Sequence, residues 1–286
     1  MIALRRQFQI VMTVLGLVLA GSVAMARPDL TDVSYGPDPR HRLDVYLPQN
    51  AQNAPIIVLV HGGGWRFGDK SNPNVWQNKV AHWTQQGTIV VAVNYRLLPQ
   101  VGPLEQAQDV ARALSFVQKH SGEWGGSDRN MILMGHSAGG HLVAVLSANP
   151  TLAHMQGARP WLGSVVLDTA ALDVPGLMQR TRSRLYRDAF GENPEYWTSA
   201  SPLHQLRAGA PPVLLVCSTR RATPCPEARK FQAKAVKQGG KAQTLPVDYS
   251  HRSINAVLGL DKGFTGQVDA FLTEIGLFTS PAQTDR

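Results

Sequence analysis

The chain has 286 residues, 43% of them hydrophobic and 17% charged, and a formal net charge of +8 at pH 7. The sequence shows no internal repeat, low-complexity segment or break in composition, which favours one domain with a sizeable hydrophobic core over a repeat protein. Basic residues are not interleaved with aromatic ones, so the positive charge does not indicate nucleic-acid binding. The one basic cluster is typical of a solvated face or, alternatively, of attraction to anionic envelope surfaces or acidic substrates. It consists of Arg180, Arg182, Arg184 and Arg187.

Residues 1–26 have the three parts of a secretory signal peptide. Arg5-Arg6 forms a positive start, residues 10–20 form an apolar stretch too short to span a bilayer, and Ala24-Met25-Ala26 is a small-x-small cleavage site. We therefore expect export to the periplasm or the outside of the cell. Cleavage would leave residues 27–286 as one domain without a stable membrane anchor. An uncleaved anchor is the alternative.

Apolar runs and helical patterns alternate along the rest of the chain. Strands are predicted at 43–47, 56–60, 88–93, 131–134, 165–167, 213–216 and 242–247. Helices are predicted at 103–120, at 142–146 with an end at Asn149-Pro150, at 227–238 and at 263–275, and an irregular insert extends to about residue 206. A continuous apolar run such as 56–60 is typical of a strand buried on both faces. The alternation predicts an α/β fold, with a mostly parallel central sheet and helices on both faces.

The pattern Gly-x-Ser-x-Gly occurs where a predicted strand meets a predicted helix. The residues are Gly135-His136-Ser137-Ala138-Gly139, and they predict a sharp turn that exposes the Ser137 hydroxyl at its apex. An ordinary glycine-rich turn is the alternative. A free serine is a weak nucleophile, so this turn indicates catalysis only if a base, an orienting acid and oxyanion donors converge on it.

The two cysteines of the chain, Cys217 and Cys225, flank a polar loop. In an oxidising compartment such a pair is expected to form a disulfide, whereas in the cytosol two free thiols would be expected. The export signal favours the disulfide.

Four segments carry a resemblance to a known family. They are His61-Gly62-Gly63-Gly64-Trp65, Asn94-Tyr95-Arg96-Leu97, Gly135-His136-Ser137-Ala138-Gly139-Gly140-His141-Leu142 and Ala189-Phe190-Gly191-Glu192-Asn193-Pro194. Together they resemble the hormone-sensitive-lipase-like bacterial esterase branch of the α/β-hydrolase superfamily, over about residues 33–271. The resemblance implies that fold and a serine carboxylesterase that cleaves a small-molecule ester through an acyl-enzyme. It implies no metal and no cofactor.

The resemblance also assigns most of the site. Ser137 is the nucleophile, and the amides of Gly63, Gly64 and Ala138 are the oxyanion donors, because glycine lets the backbone approach the substrate closely. The base follows the last strand in this fold, which points to His251. His61 and His136 are interpreted as scaffold residues.

The acid is where the sequence departs from the family. The usual aspartate follows the strand at 213–216, but the loop there, 217–226, holds no carboxylate and contains Arg220-Arg221. The candidates are Asp168, Asp173, Glu227 and Asp248. We choose Asp168, because the carboxyl end of a neighbouring strand opens on the same crevice. A cap of a helix or turn is the alternative role of Asp168.

Two other functions stay open at this point. Amide or formamide hydrolases share these motifs, and a non-catalytic binding protein would explain arginines where the acid is expected. The pocket is expected to depend on Trp65, Phe67, Trp76 and the insert at 180–197, and the substrate itself is not readable from the sequence.

Overall fold

The structure is a computed structural model that describes residues 27–278. The predicted signal peptide, residues 1–26, lies outside the described residues. The strands are β1 Leu30–Ser34, β2 Arg42–Tyr46, β3 Ala54–Val60, β4 Ile89–Val93, β5 Gly126–His136, β6 Gly163–Leu167, β7 Val213–Ser218 and β8 Ala242–Val247. The helices are α1 Pro73–Trp83, α2 Pro103–His120, α3 Ala138–Ala148, α4 Thr151–His154, α5 Val174–Arg180, α6 Arg184–Phe190, α7 Pro194–Ser199, α8 Pro202–Gln205, α9 Pro224–Lys237, α10 His251–Val257 and α11 Lys262–Glu274.

The strands form one eight-stranded sheet in the order β1-β2-β4-β3-β5-β6-β7-β8. β1 and β2 pair antiparallel, β2 pairs antiparallel with β4, and all pairings from β4 to β8 are parallel. The predicted fold class, a mostly parallel sheet with helices on both faces, is confirmed. Because parallel strands end at the same edge, the loops after β5, β6, β7 and β8 lie side by side.

Alternate residues of the central strands enter two hydrophobic cores, one on each face of the sheet. In β3, Ile56, Val58 and Val60 belong to the first core, whereas Ile57 and Leu59 belong to the second. The first core is covered by α2, α3 and α9, and the second by α1 and α11. This burial on both faces is why β3 has the continuous apolar sequence that predicted it.

The insert between β6 and β7 contains the short helices α5 to α8. α8 packs on α3, and α6 contributes Leu185 and Tyr186 to the lining of a cavity at the carboxyl edge of the sheet. The insert therefore covers the end of the sheet at which the loops meet. Within residues 27–278, no helix has both the length and the hydropathy that a membrane crossing requires.

The sequence did not predict β1, α1, α4, α10 or the short helices α5 to α8 within the irregular insert. α1 begins after Asn72, whose side chain accepts a hydrogen bond from Asn74 N, and Pro73 occupies its first position. Asn72-Pro73 was therefore a signal that could have found it. Its buried face includes Lys79, which interrupts the apolar pattern. α10 has seven residues, of which only two are buried, so its helical period is weak.

Candidate active site

Ser137 lies on the turn between β5 and α3. Its φ of 56° and ψ of −117° are unusual for a residue with a side chain, and Ser137 N donates to Leu167 O at 2.9 Å. The turn is tight enough to need glycine two residues on: a Cβ on Gly139 would lie 2.3 Å from His61 O. The strained backbone holds the serine hydroxyl out of the sheet, as the Gly-x-Ser-x-Gly pattern predicts.

His251 is the first residue of α10, after the capping residue Ser250. Its Nε2 lies 2.9 Å from Ser137 Oγ. Two contacts hold the helix in place: His136 Nε2 donates to His251 O at 2.8 Å, and the Lys79 ammonium donates to Asn255 O at 2.5 Å. His251, the predicted base, is therefore held through its backbone and through its helix as well as through its ring.

Asp168 follows β6 directly and has a left-handed backbone, with φ of 52°. Its side chain is fully buried, with Oδ2 2.7 Å from His251 Nδ1 and Oδ1 accepting a hydrogen bond from Ser218 N at 2.8 Å. Burial would raise the pKa of this carboxyl, but the hydrogen bonds from His251, Ser218 N and Arg221 bring it below its usual range. Asp168 is thus a carboxylate placed to orient His251.

The structure brings together the three residues that the sequence reasoning grouped, and it separates the other carboxylates from them. Asp173 caps α5 through Gly176 N, and Glu227 pairs with Arg180 and Lys230. Asp248 is 80% exposed and pairs with Arg220 at 2.8 Å. Each of these carboxylates has a partner away from His251.

Arg221 is a site residue that the sequence reasoning did not find. Its Nη1 lies 2.7 Å from Asp168 Oδ2, 3.2 Å from Asp168 O and 2.9 Å from His251 Nδ1. In the sequence, Arg220-Arg221 indicates only that the usual acid is absent from this loop. The signal was present in the sequence, but the direction of the guanidinium depends on the path of the loop.

The loop after β3 brings the predicted oxyanion donors to the same place. Among residues 27–278, the amides of Gly63 and Gly64 donate no hydrogen bond. Ala138 N lies in the first turn of α3, where amides have no partner within the helix. Gly63 and Gly64 have φ of 129° and 61°, which side chains disfavour, and a Cβ on Gly63 would meet Phe67 O at 2.0 Å. The glycines therefore permit both the turn and the free amides.

Trp65 extends this loop with a positive φ of 60° and is held by its neighbours. Gln106 Nε2 donates to Trp65 O at 2.8 Å, and Trp65 Nε1 donates to His141 Nδ1 at 3.2 Å. Because Trp65 N–H can only donate, His141 is neutral at Nδ1; burial lowers the pKa of His141 to about 4, which agrees. The hydrogen bond from Trp65 to His141 therefore anchors the loop on α3.

The two scaffold histidines contact the site without facing Ser137 as a base. The His61 ring stacks on Tyr95 and its Nδ1 lies 2.8 Å from Gly62 O. Burial lowers the pKa of His61 to about 4. For His136, burial and the nearby His251 lower the pKa to about 3. Both rings are thus neutral near pH 7, and they carry no charge into the site.

A cavity of about 630 Å³ opens beside Ser137 and His251. Its apolar lining comes from the loop after β3, from α1 and from α6: Trp65, Phe67, Val75, Leu185 and Tyr186. Trp65, Phe67 and the insert shape the pocket as expected. Trp76 was wrongly included, because it stacks on Tyr46 in the second core, with ring centroids 5.1 Å apart.

This strand order, with a serine on the turn after β5 and a histidine after β8, defines an α/β-hydrolase. The model of the BD-FAE family matches residues 43–234. The chain belongs to the BD-FAE family, within the esterase/lipase branch of the α/β-hydrolases.

Named relatives and solved structures agree with this placement. The chain is 28% identical over 232 residues to the isoprenylcysteine alpha-carbonyl methylesterase ICME of Arabidopsis thaliana, covering 74% of this chain and 54% of that protein. It is 28% identical over 228 residues to esterase LipQ of Mycobacterium tuberculosis, covering 74% and 53%. The chain thus spans about half the length of these relatives. The apo form of Thermogutta terrifontis esterase 2 is similar in fold, with a TM-score of 0.70, 22% identity, and coverage of 90% of this chain and 98% of that one.

Proposed function

We propose that the protein is a serine hydrolase that cleaves carboxylic esters through an acyl-enzyme. One observation carries the proposal: Ser137 Oγ, His251 and Asp168 form an unbroken series of contacts of 2.9 and 2.7 Å at the wall of an open cavity. Membership of an esterase/lipase branch and the names of the relatives support the same reaction.

In the first half of the reaction, His251 Nε2 takes the proton of Ser137 Oγ while the oxygen attacks the acyl carbon. Asp168 accepts from Nδ1–H, which keeps Nε2 unprotonated and stabilises the imidazolium once it forms. The amides of Gly63, Gly64 and Ala138 receive the negative charge that develops on the carbonyl oxygen. Nε2–H then gives its proton to the leaving alcohol.

In the second half, a water molecule takes the place of the alcohol, and the same groups act again. His251 removes a proton from the water, the oxyanion donors hold the second tetrahedral intermediate, and Ser137 leaves with the proton from His251. Every proton transfer in this cycle passes through one imidazole. The apolar lining of the cavity accommodates a small acyl or aromatic group, so the proposed substrate is a small-molecule ester.

The first prediction is that a short-chain p-nitrophenyl ester is hydrolysed by the purified chain and that Ser137→Ala reduces kcat by about 10⁶. The measurement is release of p-nitrophenol. A fluorophosphonate probe should label the wild type and leave the alanine variant unlabelled. Equal turnover by Ser137→Ala would exclude this serine as the nucleophile.

The same experiment separates the alternative functions. A p-nitroanilide of the same acyl group tests the amide alternative, and faster cleavage of the anilide than of the ester would favour it. Absence of both turnover and labelling would favour a non-catalytic binding protein. The contact between Asp168 and His251 supports catalysis over binding alone, because an acid is present although the usual loop lacks one.

We also propose that the protein is exported, with residues 1–26 as a signal peptide that is cleaved before Arg27. The signal sequence supports this, and the disulfide between Cys217 and Cys225 is compatible with an oxidising compartment. The mature protein would then act in the periplasm or outside the cell, without a stable membrane anchor.

A further inference from the structure

Arg221 lies where the family usually has its acid, and its guanidinium contacts both Asp168 and His251. We propose that Arg221 is a positioning residue that holds Asp168 and opposes protonation of His251, so that hydrolysis persists to lower pH. The inference rests on the proposed function, because it concerns the same base.

Arg221 Nη1 carries two protons, and both can be donated to Asp168. Two oxygens of Asp168 lie within hydrogen-bond distance of Nη1: Oδ2 at 2.7 Å and the backbone O at 3.2 Å. Both protons are thus used on Asp168. The 2.9 Å approach to His251 Nδ1 is then a contact between two donors, because Nδ1–H also donates to Oδ2. The arrangement fixes the acid and places a positive charge beside the imidazole.

The two neighbours of the imidazole act on its charge in opposite directions. The Asp168 carboxylate attracts the positive charge of an imidazolium, whereas the Arg221 guanidinium repels it. Hydrolysis needs the neutral imidazole, so a proton on the imidazole at low pH stops the reaction. A cation beside the ring moves this loss of activity to lower pH.

Among residues 27–278, the other titratable groups near His251 do not place a positive charge against its ring. They are His136 at the end of β5, Tyr186 on α6, Lys79 on α1 and Arg252 on α10. His136 is neutral, and burial raises the pKa of Tyr186, so it is neutral too. Burial lowers the pKa of Lys79 to about 7, but Lys79 contacts the carbonyl of Asn255 rather than the ring. Arg252 is exposed to solvent.

The loop that carries Arg221 is anchored at several points. The disulfide joins Cys217 to Cys225 across it, Ser218 Oγ donates to Tyr249 O at 2.6 Å, and Thr219 N donates to Val247 O at 3.0 Å. Arg221 itself is only 31% exposed. Its neighbour Arg220 is 56% exposed and pairs with Asp248 at the surface. The two adjacent arginines therefore provide a matched comparison.

The test is the pH dependence of kcat/KM for the wild type, Arg221→Gln and the control Arg220→Gln, with the same p-nitrophenyl ester. Arg221→Gln should move the acid limb to higher pH by about one unit, since partial exposure screens the guanidinium. Arg220→Gln should leave the limb in place, and Arg221→Lys should return it toward the wild-type position. An acid limb that is the same in Arg221→Gln and wild type would overturn the proposal.

A second measurement tests the same contact without relying on the pH profile of kcat/KM. In Asp168→Ala, Nη1 of Arg221 becomes free to donate to His251 Nδ1, which forces the proton onto Nε2 and removes the base. The double variant Asp168→Ala/Arg221→Gln should therefore be faster than Asp168→Ala alone. A double variant that is equally slow or slower would overturn the contact's role.

These outcomes are distinct from failure of the proposed function. If wild-type turnover does not depend on Ser137, the proposed function is wrong. If turnover depends on Ser137 but Arg221→Gln changes neither the limb nor the activity of Asp168→Ala, only the role of Arg221 is wrong.

Discussion

The loops after β6 and β7 both reach His251, but they bring opposite charges to it. The loop after β6 carries a carboxylate that is completely buried, whereas the loop after β7 carries a guanidinium that is 31% exposed. Adjacent strands lie about 5 Å apart, so the ends of both loops are within reach of one imidazole. An acid at the end of either loop could therefore contact His251. In this chain the loop after β6 carries the acid, and the loop after β7 carries an arginine.

The two loops are also held in different ways. The turn at Asp168 is fixed by the sheet itself: Asp168 N donates to Val216 O at 2.8 Å, and Ser137 N donates to Leu167 O one residue earlier. The loop after β7 leaves the sheet, and a disulfide closes it. A buried loop held by backbone hydrogen bonds can support a residue in a left-handed conformation, which Asp168 has.

The largest effect expected from this comparison is in the loop after β6. Asp168→Asn keeps the shape of the side chain but loses the charge and lets the amide donate to Nδ1, so we expect kcat to fall by about 10⁴. The measurement is p-nitrophenyl ester hydrolysis at the pH optimum. Thermal unfolding of the same variant should show that it remains folded.

Three parallel variants serve as controls for Asp168→Asn: Asp173→Asn, Glu227→Gln and Asp248→Asn. Their carboxylates pair away from His251, so each variant should retain the wild-type rate within a few-fold. A larger loss in one of them than in Asp168→Asn would move the acid to that residue. Retention of activity in all four would indicate a Ser-His pair that works without an acid.

Much of the sheet could be predicted because its signals are local. The predicted helix 103–120 and the predicted strand 242–247 have the same bounds as α2 and β8. β1 was missed because its burial is only partial, and α1 was missed because Lys79 lies on its buried face. A buried lysine that donates to backbone carbonyls is a tertiary arrangement, so no local pattern could indicate it.

The placement of the site residues followed from the sequence to different degrees. Ser137 is fixed by a local motif and His251 by chain order, whereas the place of Asp168 required the argument that neighbouring strands share an edge. The structure brings these three into contact, and their catalytic roles stay predictions. The contact of Arg221 could not be predicted, because a flexible side chain can point to the surface, as Arg220 does, or to the site.

An intermediate effect is expected from the disulfide that closes the loop after β7. Removing it in Cys217→Ser/Cys225→Ser should destabilise the fold by about 2.5 kcal/mol in the chain-entropy model, or lower Tm by about 5 to 10 °C. Calorimetry measures the change. The rate should fall only a few-fold at 25 °C, because Asp168 stays held by the sheet.

Mass spectrometry of the unreduced, exported protein checks the premise of this prediction. The mature chain should begin at Arg27 and should contain no alkylatable thiol. Two alkylated cysteines would contradict the disulfide, and an intact residue 1–26 segment in the exported fraction would contradict cleavage. A Tm that does not change on reduction would show that the loop is held by its hydrogen bonds.

The smallest effect is expected from the surface pair in the loop after β7. Arg220 and Asp248 lie 2.8 Å apart, but both are largely in water, where solvent and salt screen the attraction and the ordering of two side chains offsets it. Arg220→Gln should therefore leave both Tm and the acid limb of the rate unchanged, although it removes the same charge one residue from Arg221. The measurement is calorimetry together with the pH profile, at low and at high salt. A shift of the acid limb in Arg220→Gln as large as that in Arg221→Gln would mean that the net charge of the loop, rather than the contact with Asp168 and His251, sets the pH dependence.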